Sequence, residues 1–214
     1  MCAARCLPLL ALLPAACASI RAPAGFLDHL SYASMKEGPS FKREHLEPKA
    51  DPSKYVKVKI EPVDLSFLDD KSQAKLSRQE KDRLRASFEA ALKAQLGEKH
   101  RVLDAGENPD EETLVITPAL IYLRSPHRAL NALTTLALFL PVTFGAAAFE
   151  AKMRAGPAGK DMAQVAEQRC SWGDDLKTFL VGPFTKFSQI EVVFRKWALH
   201  LKEFVEKDRA GASG

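Results

Sequence analysis

Apolar positions along this chain recur with two periods, and the switches between them mark its elements. In KYVKVKIEPV, residues 54–63, Val56, Val58 and Ile60 alternate with Lys57, Lys59 and Glu61. That is the pattern of a half-buried strand, and Pro62 ends it. Ser77-Arg78-Gln79-Glu80 reads as a capping box, its hydroxyl and carboxylate satisfying the first orphan amides of a helix. Leu84, Phe88, Leu92 and Leu96 follow on one face with Ala91 beside them, and Gly97 closes the helix. Residues 101–104 form a short strand and GENPDEE a turn. TLVITPALIYL, residues 113–123, is apolar on both faces, as expected near a sheet centre, and its Pro118 predicts a bulge.

Further on, Phe149, Ala151 and Met153 point one way and Glu150, Lys152 and Arg154 the other, predicting a strand over 142–154. GPAGK turns the chain into a partner strand over 161–170. Phe187, Ile190, Phe194, Trp197, Leu201 and Phe204 mark one stripe of a long closing helix, with Glu191, Arg195, Lys202 and Glu206 outside it. Such a stripe is a core face rather than a cofactor box. The order β-α-β-β-β-β-α predicts an α/β (α+β) sandwich, a mixed, mostly antiparallel sheet of about five strands with two helices on one face. The other face is expected to be polar or to meet an apolar connector.

The first residues follow a different logic. Arg5 supplies a positive start, and CLPLLALLPAA an apolar run long enough for a secretion signal but too short to span a bilayer. Leu13-Pro14-Ala15-Ala16-Cys17 resembles the bacterial lipobox, in which an apolar residue and two small ones precede a Cys that takes lipid; Pro14 departs from it. Residues 1–16 are therefore read as a lipoprotein signal and Cys17 as the lipidated residue. A plain secretory signal cleaved after Ala16 or Ala18, and a mis-assigned start or uncleaved anchor, are the competing readings. Stable anchoring needs more than one acyl chain, and the lipoproteins this stretch resembles carry three. Ala18 and Ser19 follow Cys17 without the Asp associated with inner-membrane retention. The expected address is thus the periplasmic face of the outer membrane.

A second stretch bears on topology. ALNALTTLALFLPVTFGAAAF, residues 129–149, carries no charge between Arg128 and Glu150, and its length makes it a candidate span. Asn131, Thr134, Thr135 and Thr143 dilute it, and Pro141 breaks a helix in its last third. The favoured parse is an apolar connector over 129–140, packed on the domain, the membrane or a partner, followed by the strand.

Residues 22–52 are rich in Pro, Ser, Lys and Glu and read as an extended tether, with GFL at 25–27 and Tyr32 as adhesive points. The organisation expected is a signal over 1–16, Cys17 and tether over 17–52, one domain over 53–208, and a disordered tail over 209–214. With 46% hydrophobic and 27% charged residues, such a domain buries a core without disulfides. Net charge is only +4, and basic residues alternate with acidic ones, which argues against nucleic acid as a partner.

Candidate chemistry is sparse. Cys2, Cys6, Cys17 and Cys170 form no CxxC, and His29, His45, His100, His127 and His200 lie far apart in sequence. Asp69-Asp70 and Asp174-Asp175 read as solvated caps. No phosphate loop, nucleophile elbow or zinc motif occurs, so no catalytic residue, metal, cofactor or small-molecule substrate is assigned. Trp172 in Cys170-Ser171-Trp172-Gly173, with Leu138 and Phe139 of the connector, forms a candidate partner-docking set.

GFL, DPSKYVKVKIEPV, FEAALKAQL, RVLD, TLVITPALIYL and FRKWALHLKEFVE, in this order, resemble a family of Gram-negative lipoproteins classed as domain of unknown function 3313. The resemblance implies a lipidated periplasmic domain with no catalytic residues to transfer. The expected function is a non-enzymatic envelope-binding or assembly domain, with an envelope protein as partner. The alternatives are an accessory subunit of an envelope transport or secretion complex, docking through its connector, and an unrecognised hydrolase using Asp or His.

Overall fold

The computed structural model describes residues 24–124, 146–170 and 188–207. In chain order these form α1 (His29–Ser34), β1 (Arg43–Leu46), β2 (Lys57–Ile60), α2 (Asp70–Ala74), α3 (Arg78–Leu96), β3 (Arg101–Val102), β4 (Thr113–Arg124), β5 (Ala146–Ala155), β6 (Asp161–Cys170) and α4 (Ser188–Glu206). The strands make one sheet in the order β1-β6-β5-β4-β2-β3. β2 runs parallel to β3 and β4, and every other pairing is antiparallel. The α+β class is as expected, with six strands rather than about five.

The capping box forms as read: the Glu80 N–H donates to Ser77 Oγ at 3.3 Å, and the Ser77 N–H to Glu80 Oε2 at 2.8 Å. It fixes the start of α3, and Leu84, Phe88, Leu92 and Leu96 are buried along one face. Ile190, Phe194, Trp197, Leu201 and Phe204 do the same for α4. Both helices pack on the sheet face that carries Leu114, Ile116 and Leu120 of β4, Phe149, Ala151 and Met153 of β5, and Ala163 and Val165 of β6. An aromatic cluster sits at the centre. Phe88 stacks on Phe194 at 4.7 Å between ring centroids, and Phe149 meets Trp197 at 4.6 Å. The β5–β6 hairpin turns through Gly156 at φ +62°, a backbone region that favours glycine. The expected bulge occurs in β4, but between Leu120 and Tyr122 rather than at Pro118.

The largest departure lies at the start of the domain. Residues 26–46 are not an extended tether leading to a domain at 53. β1 pairs with β6, and Phe26, Leu27, Met35 and Phe41 are buried. β1 escapes sequence reading because Arg-Glu-His-Leu carries one apolar residue, as a charged edge strand can. The sheet face away from α3 and α4 is accordingly neither bare nor simply polar. Phe26, Leu27 and Met35 cover it, packed with Ala119, Ala166, Tyr32 and Phe67. Residues 125–145, and with them most of the 129–149 run, lie outside the described residues. The end of that run, 146–149, lies in β5. Among the described residues no helix is long and apolar enough to cross a membrane.

Candidate functional site

The alternation along β5 sends Phe149 towards the helices and Glu150 to the opposite face. Cross-strand from Glu150 stand Ala119 on β4 and Ala166 on β6, two side chains too small to hide a carboxylate. Glu150 is nevertheless fully buried, because the segment before β1 closes over it. The Leu27 N–H donates to Glu150 Oε2 at 3.0 Å, and the Tyr32 hydroxyl donates to Oε1. Local chemistry sets up this convergence. Asp28 caps α1, accepting from the Ser31 N–H at 2.7 Å, and the turn so formed presents Leu27 and Tyr32 to one carboxylate. Phe26 packs edge-on against Phe67 at 5.4 Å between centroids, and the Lys152 ammonium lies 4.7 Å from the Phe26 ring centre. Residues 24–35 thus form a strap across the sheet, latched on Glu150.

A second carboxylate holds the same segment further along. Glu167 lies across from Phe149, hence on the helix side of β6, and accepts from the Lys42 N–H at 2.9 Å. Beside it, His200 on α4 contacts the Ser40 carbonyl through Nδ1 at 2.6 Å, and Arg169 Nη2 lies 3.5 Å from His200 Nε2. Arginine can only donate and a carbonyl only accept. A proton on His200 Nδ1 serves the Ser40 carbonyl and leaves Nε2 facing the Arg169 donor. The buried acids Glu150 and Glu167 both fasten the N-terminal segment, at Leu27 and Tyr32 and at Lys42.

Burial raises the Glu150 pKa against the opposing Tyr32, Leu27 and Lys152 contacts, and raises that of Glu167 against the Lys42 N–H and nearby cations. Tyr32 is pushed up by burial and then by its bond to Glu150. A carboxyl whose folded pKa is raised binds its proton more readily folded than unfolded, so stability grows as pH falls through that pKa towards the ordinary value near 4.5. Asp110 works oppositely. Its hydrogen bonds from Lys57 and Thr113 hold it down to about 2, so that contribution is lost as pH drops below 3.8. The thermal midpoint is expected to rise as pH falls towards 4.5 and to drop again below 3.8, and Glu150→Gln with Glu167→Gln should flatten the rise. A wild-type midpoint that declines steadily from pH 7 contradicts this.

Elsewhere on the strap side, Arg154 Nη2 pairs with Glu61 Oε1 at 2.6 Å, and Thr117 Oγ1 donates to Glu61 Oε2 at 2.5 Å. These charges are spent on each other. Asp69 caps α2, accepting from the Ser72 N–H at 3.0 Å. His100 donates to the Tyr55 carbonyl at 2.8 Å, and His45 contacts Glu47 at 3.2 Å. Among the described residues no group of His, Cys, Asp and Glu is placed to hold a metal ion. Cys17, Leu138, Phe139 and Trp172 lie outside the described residues. The sequence reading passed over Glu150, Tyr32 and Glu167 as functional groups. The available signal was GAAAFEA, an acid in a strand of alanines, together with the adhesive GFL and Tyr32.

Comparison with known proteins adds a family. The model of DUF3313, described as a protein of unknown function, matches residues 22–201. That match begins just ahead of the strap rather than at β2, and so takes in the whole of residues 24–35. None of the curated proteins matches the chain. Among solved structures, the PelC dodecamer from Paraburkholderia phytofirmans is similar at TM-score 0.41 and 9% identity, covering 74% of this chain and 96% of that one. Hypothetical protein CT253 from Chlamydia trachomatis gives 0.38 and 10%, covering 71% and 98%. A minor lipoprotein from Acinetobacter baumannii gives 0.29 and 13%, covering 71% and 93%.

Proposed function

The chain belongs to the DUF3313 family, and from that premise we propose that it is a non-enzymatic lipoprotein, anchored through Cys17 to the periplasmic face of the outer membrane, whose domain binds an envelope component. The observation that carries this reading is the join between leader and domain. Cys17 ends a lipobox-like string, and the strap is already buried in the domain at Phe26 and Leu27. A secreted chain needs no such short link; an anchored one is held by it. The non-enzymatic part rests on how the buried acids are used. Both oxygens of Glu150 receive donors from the strap, and Glu167 is occupied by the Lys42 N–H.

Palmitate labelling in a Gram-negative host tests the anchor. Wild type is expected to take label and fractionate with the outer membrane, whereas Cys17→Ala should lose the label and leave the membrane. Label that persists in Cys17→Ala would falsify the assignment.

The same reading gives the domain an envelope protein as partner, reached through Leu138 and Phe139 on the strength of the uncharged 129–149 run, and through Trp172 on that of the Cys170-Ser171-Trp172-Gly173 stretch. Photocrosslinkers placed at these positions should capture one discrete product in cells. A ladder of unrelated products, or none, removes the docking assignment.

A further inference from the structure

The strap changes the reach of the domain. Thirty-five residues of free tether between Cys17 and residue 52 extend to about 120 Å, whereas the stretch from Cys17 to the buried Phe26 extends to about 30 Å at most. The strap also fixes which side of the domain that short link leaves from. Phe26, Leu27 and Met35 pack on the sheet face opposite α3 and α4, and Tyr32 of α1 reaches Glu150 on that same face. A six-stranded sheet is about 25 Å across, and the helix layer beneath it about 10 Å thick. Leading the link from Phe26 around the sheet edge to the outer side of the helices uses essentially all of its length.

Between buried Leu27 and half-buried Tyr32, Leu30 on α1 is 84% exposed. Among the described residues none covers this apolar side chain, and α1 is the described helix nearest Cys17 in the sequence. A lipid surface can cover it, since an apolar residue at the headgroup boundary leaves water without needing a protein pocket. We propose that the strap face, with Leu30 at its tip, rests on the membrane that holds Cys17, and that α3 and α4 face the periplasm. This placement rests on the lipid anchor proposed above. The domain is then confined to the inner surface of its membrane, and its partner must come to it there.

The test uses the full lipidated chain in vesicles of phosphatidylethanolamine and phosphatidylglycerol. Leu30→Cys, or Ala86→Cys on the exposed side of α3, is introduced with Cys170→Ala and labelled with an environment-sensitive fluorophore. Both positions are exposed, so neither label disturbs the core. Nitroxide-bearing lipids are expected to quench the probe at 30 at least about twofold more than the probe at 86. Equal quenching, or stronger quenching at 86, in a chain that floats with the vesicles overturns the placement and leaves the anchor intact. A blue-shifted probe at 30 that lipid nitroxides do not quench indicates a protein contact, and also overturns it. A chain that fails to float with the vesicles overturns the anchor, and the placement with it.

Discussion

Replacing Glu150 with alanine is expected to remove about 2–4 kcal/mol of stability and to free the strap while the rest of the domain stays folded. The carboxylate is fully buried and holds two donors, the Leu27 N–H at 3.0 Å and the Tyr32 hydroxyl. Alanine leaves the buried Leu27 N–H without a partner, at about 1–3 kcal/mol, and takes the acceptor from the hydroxyl of half-buried Tyr32, which costs less because water can reach it. Removing a desolvated charge offsets part of that, which keeps the total below the simple sum. Glu150→Gln retains one acceptor oxygen and should lose less than half as much. Urea unfolding gives the stability, and limited proteolysis with N-terminal sequencing locates the damage. Cleavage within residues 24–35 that precedes loss of the core is the expected pattern. A loss under about 0.5 kcal/mol with unchanged cleavage contradicts the latch.

Trp197→Ala should be more damaging, at about 3–5 kcal/mol, because it opens a cavity in the middle of the aromatic cluster. Trp197 is fully buried, 4.6 Å from Phe149, 5.9 Å from Phe88 and 6.0 Å from Phe194 between ring centroids. Domains of ordinary stability have about 5–15 kcal/mol in total, so this variant stands close to unfolding at ambient temperature. The indole N–H has no hydrogen-bond partner among the described residues. Trp197→Phe therefore loses packing without losing a hydrogen bond and should cost far less than Trp197→Ala. Equilibrium unfolding of the two variants gives the comparison. Equal losses would mean that the indole nitrogen makes a contact of its own.

What was legible in the sequence was what local patterning controls. α3 declared itself through the Ser77–Glu80 box and a buried residue every turn, and the β5–β6 hairpin through its alternation around GPAGK. α4 showed as a stripe from Ile190 to Phe204. The strap did not show, because its reasons for being ordered lie far away in the chain. Leu27 needs Glu150, and β1 takes its register from β6. A six-residue helix and a four-residue charged strand carry too little periodicity to be read alone. Glu150 itself looked like the solvent side of a half-exposed strand. Only the strap makes it a buried acid, so neither could be recognised without the other. The candidate site was legible as fragments, the adhesive GFL and Tyr32, but not as a site.

The central claim is that the segment beginning at residue 24 is part of the folded domain and not a leash. Hydrogen exchange at the Leu27 amide tests it most directly, since that proton is the one given to Glu150. In the native protein at neutral pH it should exchange at least about 1,000-fold more slowly than in an unfolded chain, and Glu150→Ala should abolish that protection. Exchange within about tenfold of the unfolded rate in wild type would mean that the strap is not latched, and that the domain is free to swing on a long tether after all.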